Sequence, residues 1–247
     1  MEYSEWAPQY DRIRKEFGFD LAREEAAAEL LESLLPEPRR ADPLAGAHAR
    51  LEGREAIVVG HAPNAGPPPL WRRRATSPAP ALIAADGATV PCLAAGLVPS
   101  VIVTDLDGPV PSEIGANRRG SLVVVHAHGD NLAAIREWVP QFPGEIAGSW
   151  SGPPRDALLD VGGFTDGDRG AFLADHVGAT RVVLWGFDFD RVDEADPGAR
   201  ARKLAKLAWA RRALDLLARK GRAPLVVWRA DGSEVPYAAG NAVESTR

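Results

Sequence analysis

The feature that most constrains this chain is a series of short, nearly continuous apolar runs that alternate with helical stretches beyond residue 54. Such runs are typical of strands that are buried on both faces of a parallel sheet. The sequence therefore predicts an α/β fold with a mostly parallel sheet and helices on both faces. The predicted strands are 56–60, 81–86, 101–105, 122–126, 146–150, 157–164, 182–187 and 225–228. The predicted helices are 88–95, 131–142, 168–177 and 199–220.

The first 54 residues have a different pattern. Apolar residues recur at helical spacing from Trp6 to Leu35, and Pro36 then interrupts that periodicity. The stretch 36–54 is rich in Pro, Gly and Ala without clear periodicity, which predicts a linker on the surface. We therefore predict an N-terminal helical appendage with its linker at 1–54, followed by an α/β catalytic domain at 55–247.

The composition excludes several classes of protein. The chain is 45% hydrophobic and 26% charged, which is ordinary for a globular protein. Its net charge is −5 and its basic residues form no single stripe, so nucleic-acid binding is disfavoured. Cys92 is the one cysteine, so neither an intrachain disulfide nor a multi-cysteine zinc site can form. The polar N-terminal residues and the lack of a long apolar run predict a cytoplasmic protein without a membrane span.

Polar, mostly acidic clusters follow the ends of the predicted strands. They are Asp86-Gly87, Asp105-Leu106-Asp107, His126-Ala127-His128-Gly129-Asp130, Thr165-Asp166-Gly167-Asp168 and Asp188-Phe189-Asp190. The carboxyl ends of parallel strands lie at one edge of a sheet, where ligands bind in a crevice. Carboxylates gathered there repel one another unless a cation or a donor-rich ligand compensates them. Mg²⁺ binds one or two carboxylates together with water and phosphate oxygens, so we assign Asp105 and Asp107 as its ligands.

The other motifs have two interpretations each. Asp86 is explained equally well by a functional role and by capping of the next helix. The loop that begins at Gly60 could present backbone amides to phosphate, or it could be an ordinary surface turn. Lys203 and Lys206 stand one turn apart on a predicted helix, where they form either a phosphate clamp or a solvated face.

Two histidines alternate at the end of a predicted strand, so both point to the same side of the sheet. His126 and His128 could form a metal pair, but no third ligand lies at a sequence spacing typical of a transition-metal site. We favour hydrogen bonding to a nucleotide or an acceptor, together with Asp130 and Asn131. The remaining alternative is that one histidine is a satisfied core residue.

Five segments together resemble the MptE-type archaeal 6-hydroxymethyl-7,8-dihydropterin pyrophosphokinases, distant relatives of thiamin pyrophosphokinase. They are VVGHAPN (58–64), VTDLDG (103–108), HAHGDN (126–131), GFTDGDR (163–169) and LWGFDF (184–189). The likeness spans nearly the whole chain. The first loop departs from the family's usual GxGPSL pattern, which puts its phosphate contacts in doubt.

The resemblance implies a Rossmann-like, thiamin-pyrophosphokinase-like catalytic domain. It also implies an Mg²⁺-dependent transfer of pyrophosphate from ATP to the hydroxymethyl group of a reduced pterin, which releases AMP in tetrahydromethanopterin or folate biosynthesis. In that activity Asp105 and Asp107 hold the metal, and Lys203 and Lys206 neutralise phosphate charge. Relatives with this fold often dimerise, which favours a homodimer.

The implied binding residues form two groups. The ATP-binding group is Gly60, Pro63, Asn64, Thr104, His126, His128, Asp130 and Asn131. The amino-pyrimidine edge of a pterin is rich in donors, which carboxylates recognise, and an aromatic ring can stack on it. The acceptor-binding group is therefore Asp86, Thr165, Asp166, Asp168, Arg169, Phe187 and Asp188.

Two other functions fit the same residues. A nucleotide-sugar glycosyltransferase also uses an Asp-x-Asp motif such as Asp105 with Asp107 to hold a metal. A nucleotide-binding module without catalysis would keep the crevice, since fold alone does not establish activity.

Overall fold

A computed structural model describes residues 3–37, 41–63, 65–70 and 77–240. The strands are β1 (Glu55–Val59), β2 (Ala81–Ala85), β3 (Val101–Thr104), β4 (Leu122–His126), β5 (Ile146–Ser149), β6 (Leu158–Leu159), β7 (Arg181–Trp185), β8 (Leu225–Trp228) and β9 (Glu234–Pro236). They form one sheet in the order β6-β5-β4-β3-β2-β1-β7-β8-β9. Every neighbouring pair is parallel except β8 with β9. The predicted α/β fold with a mostly parallel sheet is confirmed.

Helices cover both faces of the sheet. They are α1 (Tyr3–Phe17), α2 (Leu21–Leu34), α3 (Ala45–Leu51), α4 (Thr89–Ala94), α5 (Val110–Arg118), α6 (Leu132–Trp138), α7 (Asp166–His176) and α8 (Pro197–Lys220). Side chains of α1, α3, α7 and α8 lie in one core, and those of α2, α4, α5 and α6 lie in the other. Successive side chains of a strand enter opposite cores, as Val58 and Val59 do. This double burial explains the continuous apolar runs.

Four elements differ from the sequence prediction. Helix α3 lies in the stretch expected to be a linker, and its buried Ala47 and Leu51 join a core. A helix of seven residues is too short to show a clear periodicity. The predicted strand 157–164 shrinks to Leu158–Leu159, because Gly162 and Gly163 take left-handed backbone conformations. Helix α5 and the antiparallel strand β9 were not predicted.

The N-terminal helices pack on opposite faces of the sheet. Trp6 and Ile13 of α1 are buried in one core, whereas Ala27 and Leu31 of α2 are buried in the other. The turn between α1 and α2 therefore crosses from one face to the other. The division of the chain at residue 54 stays a prediction.

The order of the strands reverses between β1 and β7. From β1 the chain adds β2 to β6 on one side and then returns to place β7 on the other side. A crevice at the carboxyl edge is expected at such a switch point. Gly60 follows β1 there, and a Cβ added to it would lie 2.6 Å from the carbonyl oxygen of Gly186. Only a glycine at position 60 allows the two loops to approach so closely.

The length and hydropathy of a helix indicate whether it could span a membrane. Within the described ranges, no helix is both long enough and apolar enough to cross a bilayer.

Candidate active site

A cavity of about 640 Å³ opens at this switch point. It lies between the loops after β1, β2 and β7, the first turn of α7 and one side of α8, and we call it the large cavity. The site residues proposed from the sequence that line it are Gly60, Pro63, Asp86, Thr165, Asp166, Phe187, Asp188, Lys203 and Lys206. Residues assigned to ATP and residues assigned to the acceptor thus surround one space. Asn64 lies outside the described residues.

Asp105 and Asp107, the acidic pair, follow β3 in a tight turn. Leu106 between them has a φ of +68°, a strained conformation for a bulky residue, which its N–H hydrogen bond to Thr104 Oγ1 (2.9 Å) stabilises. Burial alone would raise the pKa of Asp105, but hydrogen bonds with His128 and Asp107 lower it to about 2. Burial and the charge of Asp105 raise the pKa of Asp107 to about 7. The two carboxylates do not ionise independently, as expected for a site that accepts a cation.

Asp86 adjoins the acidic pair and has its own unusual backbone, with a φ of +39°. Its carboxylate accepts a hydrogen bond from Thr104 Oγ1 at 3.2 Å. Burial raises the pKa of Asp86, and the charge of Asp105 raises it further. Thr104 is fully buried, and its hydroxyl donates to Asp86 and accepts from the Leu106 N–H, so its contact with ATP stays a prediction.

Glu113 is a member of this cluster that sequence reasoning missed. It is fully buried on α5, and neither of its carboxyl oxygens has a conventional hydrogen-bond partner within the described part of the chain. Burial and the neighbouring Asp86 raise its pKa to about 9. At neutral pH Glu113 is therefore protonated and can donate a hydrogen bond to the Asp86 carboxylate. In the sequence Glu113 looks like any polar helical residue, so no local signal could have revealed it.

The first turn of α7 presents Asp166 to the large cavity. Burial raises the pKa of Asp166 well above its ordinary value, and the charges of Asp105 and Asp86 add to that effect. Asp168 is turned inward instead. Its carboxylate accepts from the backbone N–H groups of Phe164 (2.6 Å) and Thr165 (2.8 Å), so it caps the helix. The assignment of Asp168 to acceptor binding stays a prediction beside this capping role.

Arg169 and His126 form a buried network beneath the site. The guanidinium of Arg169 contacts the carbonyls of Gly162 and Phe164, and its Nη2 lies 3.1 Å from His126 Nε2. Burial and the charge of Arg169 lower the pKa of His126 well below its ordinary value. Because a guanidinium only donates, neutral His126 accepts at Nε2 and donates from Nδ1 to Ser149 Oγ at 3.1 Å. These contacts match the alternative in which His126 is a satisfied core histidine, and the ligand contacts expected of His126 and Arg169 stay predictions.

His128 does reach the acidic pair, with its Nε2 3.3 Å from Asp105 Oδ2. Asn131 is buried and connects two loops: its Nδ2 donates to the carbonyls of Asp105 (2.8 Å) and His126 (2.7 Å), and its Oδ1 accepts from the His128 N–H (3.1 Å). Asn131 therefore holds Asp105 and His128 together, and its assignment to ATP stays a prediction. The two histidines form no metal pair, and no cluster of three or more metal-ligating side chains occurs in the described ranges.

The two lysines of α8 differ in their surroundings. Lys203 is exposed and pairs with Glu194 at 3.3 Å. The positive charge of Lys206 lowers the pKa of Asp107, although burial and the charge of Asp105 have the larger, opposite effect. Both line the large cavity.

The fold and this site define a Rossmann-like α/β protein with an acidic crevice at the switch point of its sheet. Residues 37–194 match the family model described as 6-hydroxymethylpterin diphosphokinase MptE-like. The chain belongs to this MptE-like family.

Curated relatives agree with the family match. The 6-hydroxymethyl-7,8-dihydropterin pyrophosphokinase of Methanothermobacter thermautotrophicus is 39% identical over 240 residues, which cover 92% of this chain and 100% of that protein. The protein of the same name from Pyrococcus furiosus is 37% identical over 237 residues, covering 92% and 98%. Among solved structures, the MAf glycosyltransferase from Magnetospirillum magneticum AMB-1 reaches a TM-score of 0.45 at 16% identity, over 78% of this chain and 35% of that chain. That likeness is too weak to bear on function.

Proposed function

We propose that this protein transfers the pyrophosphate of ATP to 6-hydroxymethyl-7,8-dihydropterin, giving the pterin diphosphate and AMP. Relatives at 36–39% identity bear the name of this pyrophosphokinase. We further propose that the protein acts in tetrahydromethanopterin or folate-type pterin biosynthesis, in the cytoplasm and as a homodimer.

In the proposed reaction the hydroxymethyl oxygen bonds to the β-phosphorus of ATP. The bond from that phosphorus to the oxygen shared with the α-phosphate breaks, and AMP leaves. Transfers of this kind depend on positioning and charge neutralisation and need no covalent nucleophile. The proposed reaction therefore requires a site in which positively charged side chains and metal-binding side chains face the same space.

The observation that carries the proposal is the arrangement of Lys206 and the acidic pair. Lys206 lies on the wall of the large cavity and acts electrostatically on Asp107. The ATP phosphates would lie between this lysine, Lys203 and the acidic pair. Asp107 has a pKa of about 7 beside the ionised Asp105, so a bound cation would favour the ionised form of both carboxylates.

The residues present fit Mg²⁺. Asp105 and Asp107 are adjacent carboxylates whose mutual repulsion raises the pKa of Asp107, and Mg²⁺ needs only one or two protein carboxylates beside water and phosphate oxygens. When bound, Mg²⁺ would neutralise charge on the phosphates. His128 and Asn131 keep Asp105 oriented toward that position through the contacts described above.

The test is incubation with ATP, Mg²⁺ and 6-hydroxymethyl-7,8-dihydropterin, with mass spectrometry of the products. The pterin diphosphate should form only when all three are present, and thiamin serves as the control acceptor. Turnover of a sugar nucleotide without consumption of ATP would support the glycosyltransferase alternative instead. Binding of ATP without any product would support a non-catalytic module.

A further inference from the structure

A second, smaller recess lies beside the loop that follows β4. Its volume is about 200 Å³, and we call it the N-terminal recess. The turn between α1 and α2 forms one wall, the loop after β4 forms another, and α8 contributes one side chain. Its lining residues are Phe17, Gly18, Phe19, Asp20, Arg23, Glu24, Gly129, Asp130 and Arg202.

One wall of the N-terminal recess is aromatic. The rings of Phe17 and Phe19 are stacked, with centroids 5.6 Å apart and an interplanar angle of 16°. The guanidinium of Arg202 lies 5.4 Å and 5.9 Å from their centroids. A planar ligand placed here would meet flat apolar surfaces and a cationic hydrogen-bond donor.

Carboxylates supply negative charge to the N-terminal recess. Glu24 is only 4% exposed yet lines the recess, and one of its oxygens accepts from the Tyr10 hydroxyl at 2.5 Å. Asp130 lies at the exposed rim, 3.6 Å from Arg23. The Tyr10 hydroxyl occupies one oxygen of Glu24, and the remaining acceptor positions of the carboxylate can take a hydrogen bond from a donor-bearing ligand.

The N-terminal recess is connected to the acidic pair through a single imidazole ring. The Asp130 N–H donates to His128 Nδ1 at 3.3 Å, and His128 Nε2 lies 3.3 Å from Asp105. Helix α8 joins the two spaces as well, because Arg202 lines the recess and Lys203 lines the large cavity. The ring of His128 therefore lies between Asp130 on the rim of the N-terminal recess and Asp105 of the acidic pair.

We propose that the N-terminal recess binds the heterocycle of the acceptor, an inference that rests on the proposed function. An aminopyrimidinone edge presents an amino group and a ring N–H for the carboxylates, and a carbonyl oxygen for Arg202. The edge of adenine pairs its amino group with an unprotonated ring nitrogen, which a carboxylate repels. The residue set thus selects the pterin over the nucleotide base, and it moves acceptor recognition away from Phe187 and Asp188.

The test compares exposed recess residues with a matched control on the same helix. Arg202→Gln and Asp130→Asn each remove one recognition group, and Arg200→Gln changes an exposed arginine of α8 that lines neither space. We expect each recess variant to raise KM and the dissociation constant for 6-hydroxymethyl-7,8-dihydropterin by about tenfold or more, since a charged hydrogen bond is lost. In Arg202→Gln, KM for ATP and the thermal midpoint should stay at the wild-type values, and in Arg200→Gln every parameter should do so.

Two results would overturn the inference. One is an unchanged pterin KM in both recess variants together with a raised pterin KM in Phe187→Leu, which would return the ring to the large cavity. The other is a raised KM for ATP alone, which would identify the recess as the adenine site. If the wild type forms no product, the proposed function fails, and direct binding of the same pterin still decides the recess: weaker binding in Arg202→Gln supports it, and equal binding contradicts it.

Discussion

At the scale of single residues, the site depends on carboxyl groups held in different protonation states. Asp105 is ionised, with a pKa of about 2, whereas Glu113 keeps its proton to about pH 9. Asp107 lies between them, with a pKa of about 7. Burial acts on all three, so what separates them is their hydrogen-bonding partners: His128 favours the charge on Asp105, and Asp86 opposes a charge on Glu113.

Glu113 gives a pH-dependent prediction. Its pKa is raised from 4.5 to about 9 on folding, so between these values the unfolded chain releases a proton that the folded chain retains. The contribution of Glu113 to stability is therefore fully present below about pH 4.5 and is lost as the pH rises toward about 9. Glu113→Gln has no such proton. The free energy of unfolding of this variant should therefore rise relative to that of the wild type as the pH increases. Urea titrations at several pH values measure this, and a difference that does not change with pH would contradict it.

Asp105→Asn tests the metal assignment. Removal of this charge abolishes the proposed Mg²⁺ site, so turnover should fall by orders of magnitude. The melting temperature should stay near that of the wild type, because the change also relieves repulsion with Asp107. Thermal denaturation and product assays run side by side provide the measurement, and a variant with full activity would refute the assignment.

At the scale of elements, helix α8 supplies the cationic side of the site. The charge of Lys206 acts on Asp107, whereas Lys203 is paired with Glu194 near the start of the helix. Lys220 lies at the far end of α8, where it pairs with Glu5 at 2.9 Å. The same helix therefore carries both the test residue and its controls.

Lys206→Ala should lower turnover more than Lys203→Ala does, and Lys220→Ala should leave turnover unchanged. The physical reason is that the charge of Lys206 acts on Asp107, whereas Lys203 pairs with Glu194 and Lys220 pairs with Glu5. Steady-state kinetics with varied ATP would measure the ranking. Equal losses in Lys206→Ala and Lys220→Ala would show that α8 does not contribute charge to the phosphate site.

The element scale also shows what the sequence could predict. Asp105 and Asp107 were predictable as neighbours of Asp86, because the carboxyl ends of parallel strands share an edge. The different surroundings of His126 and His128 could not be predicted from the sequence. His126 is buried against Arg169, whereas His128 contacts Asp105. Their difference depends on α7, which lies some forty residues later in the chain. The roles of Glu113 and Asn131 likewise depend on tertiary contacts that local sequence patterns do not reveal.

At the scale of the whole molecule, the N-terminal helices belong to both cores. Trp6, Tyr10 and Ile13 pack on one side of the sheet, and Ala28 and Leu31 pack on the other. A loss of this segment would expose apolar surface on both faces. It would also remove the wall of the N-terminal recess, so stability and the proposed acceptor recognition are coupled.

A chain that begins at residue 55 should therefore be much less stable than the full chain. Each large apolar side chain that becomes exposed costs about 1.5–3 kcal/mol, and a domain is only marginally stable to begin with. Circular dichroism during thermal unfolding would measure the difference. A melting temperature close to that of the full chain would instead support an independent domain at 55–247.

The central claim is that ATP loses pyrophosphate, rather than a single phosphate, to a pterin held beside the acidic pair. Phosphorus NMR of a reaction with ATP, Mg²⁺ and 6-hydroxymethyl-7,8-dihydropterin measures this directly. The account predicts AMP and the pterin diphosphate in equal amounts, with no signal from ADP. Formation of ADP with a pterin monophosphate, or ATP left intact, would contradict it.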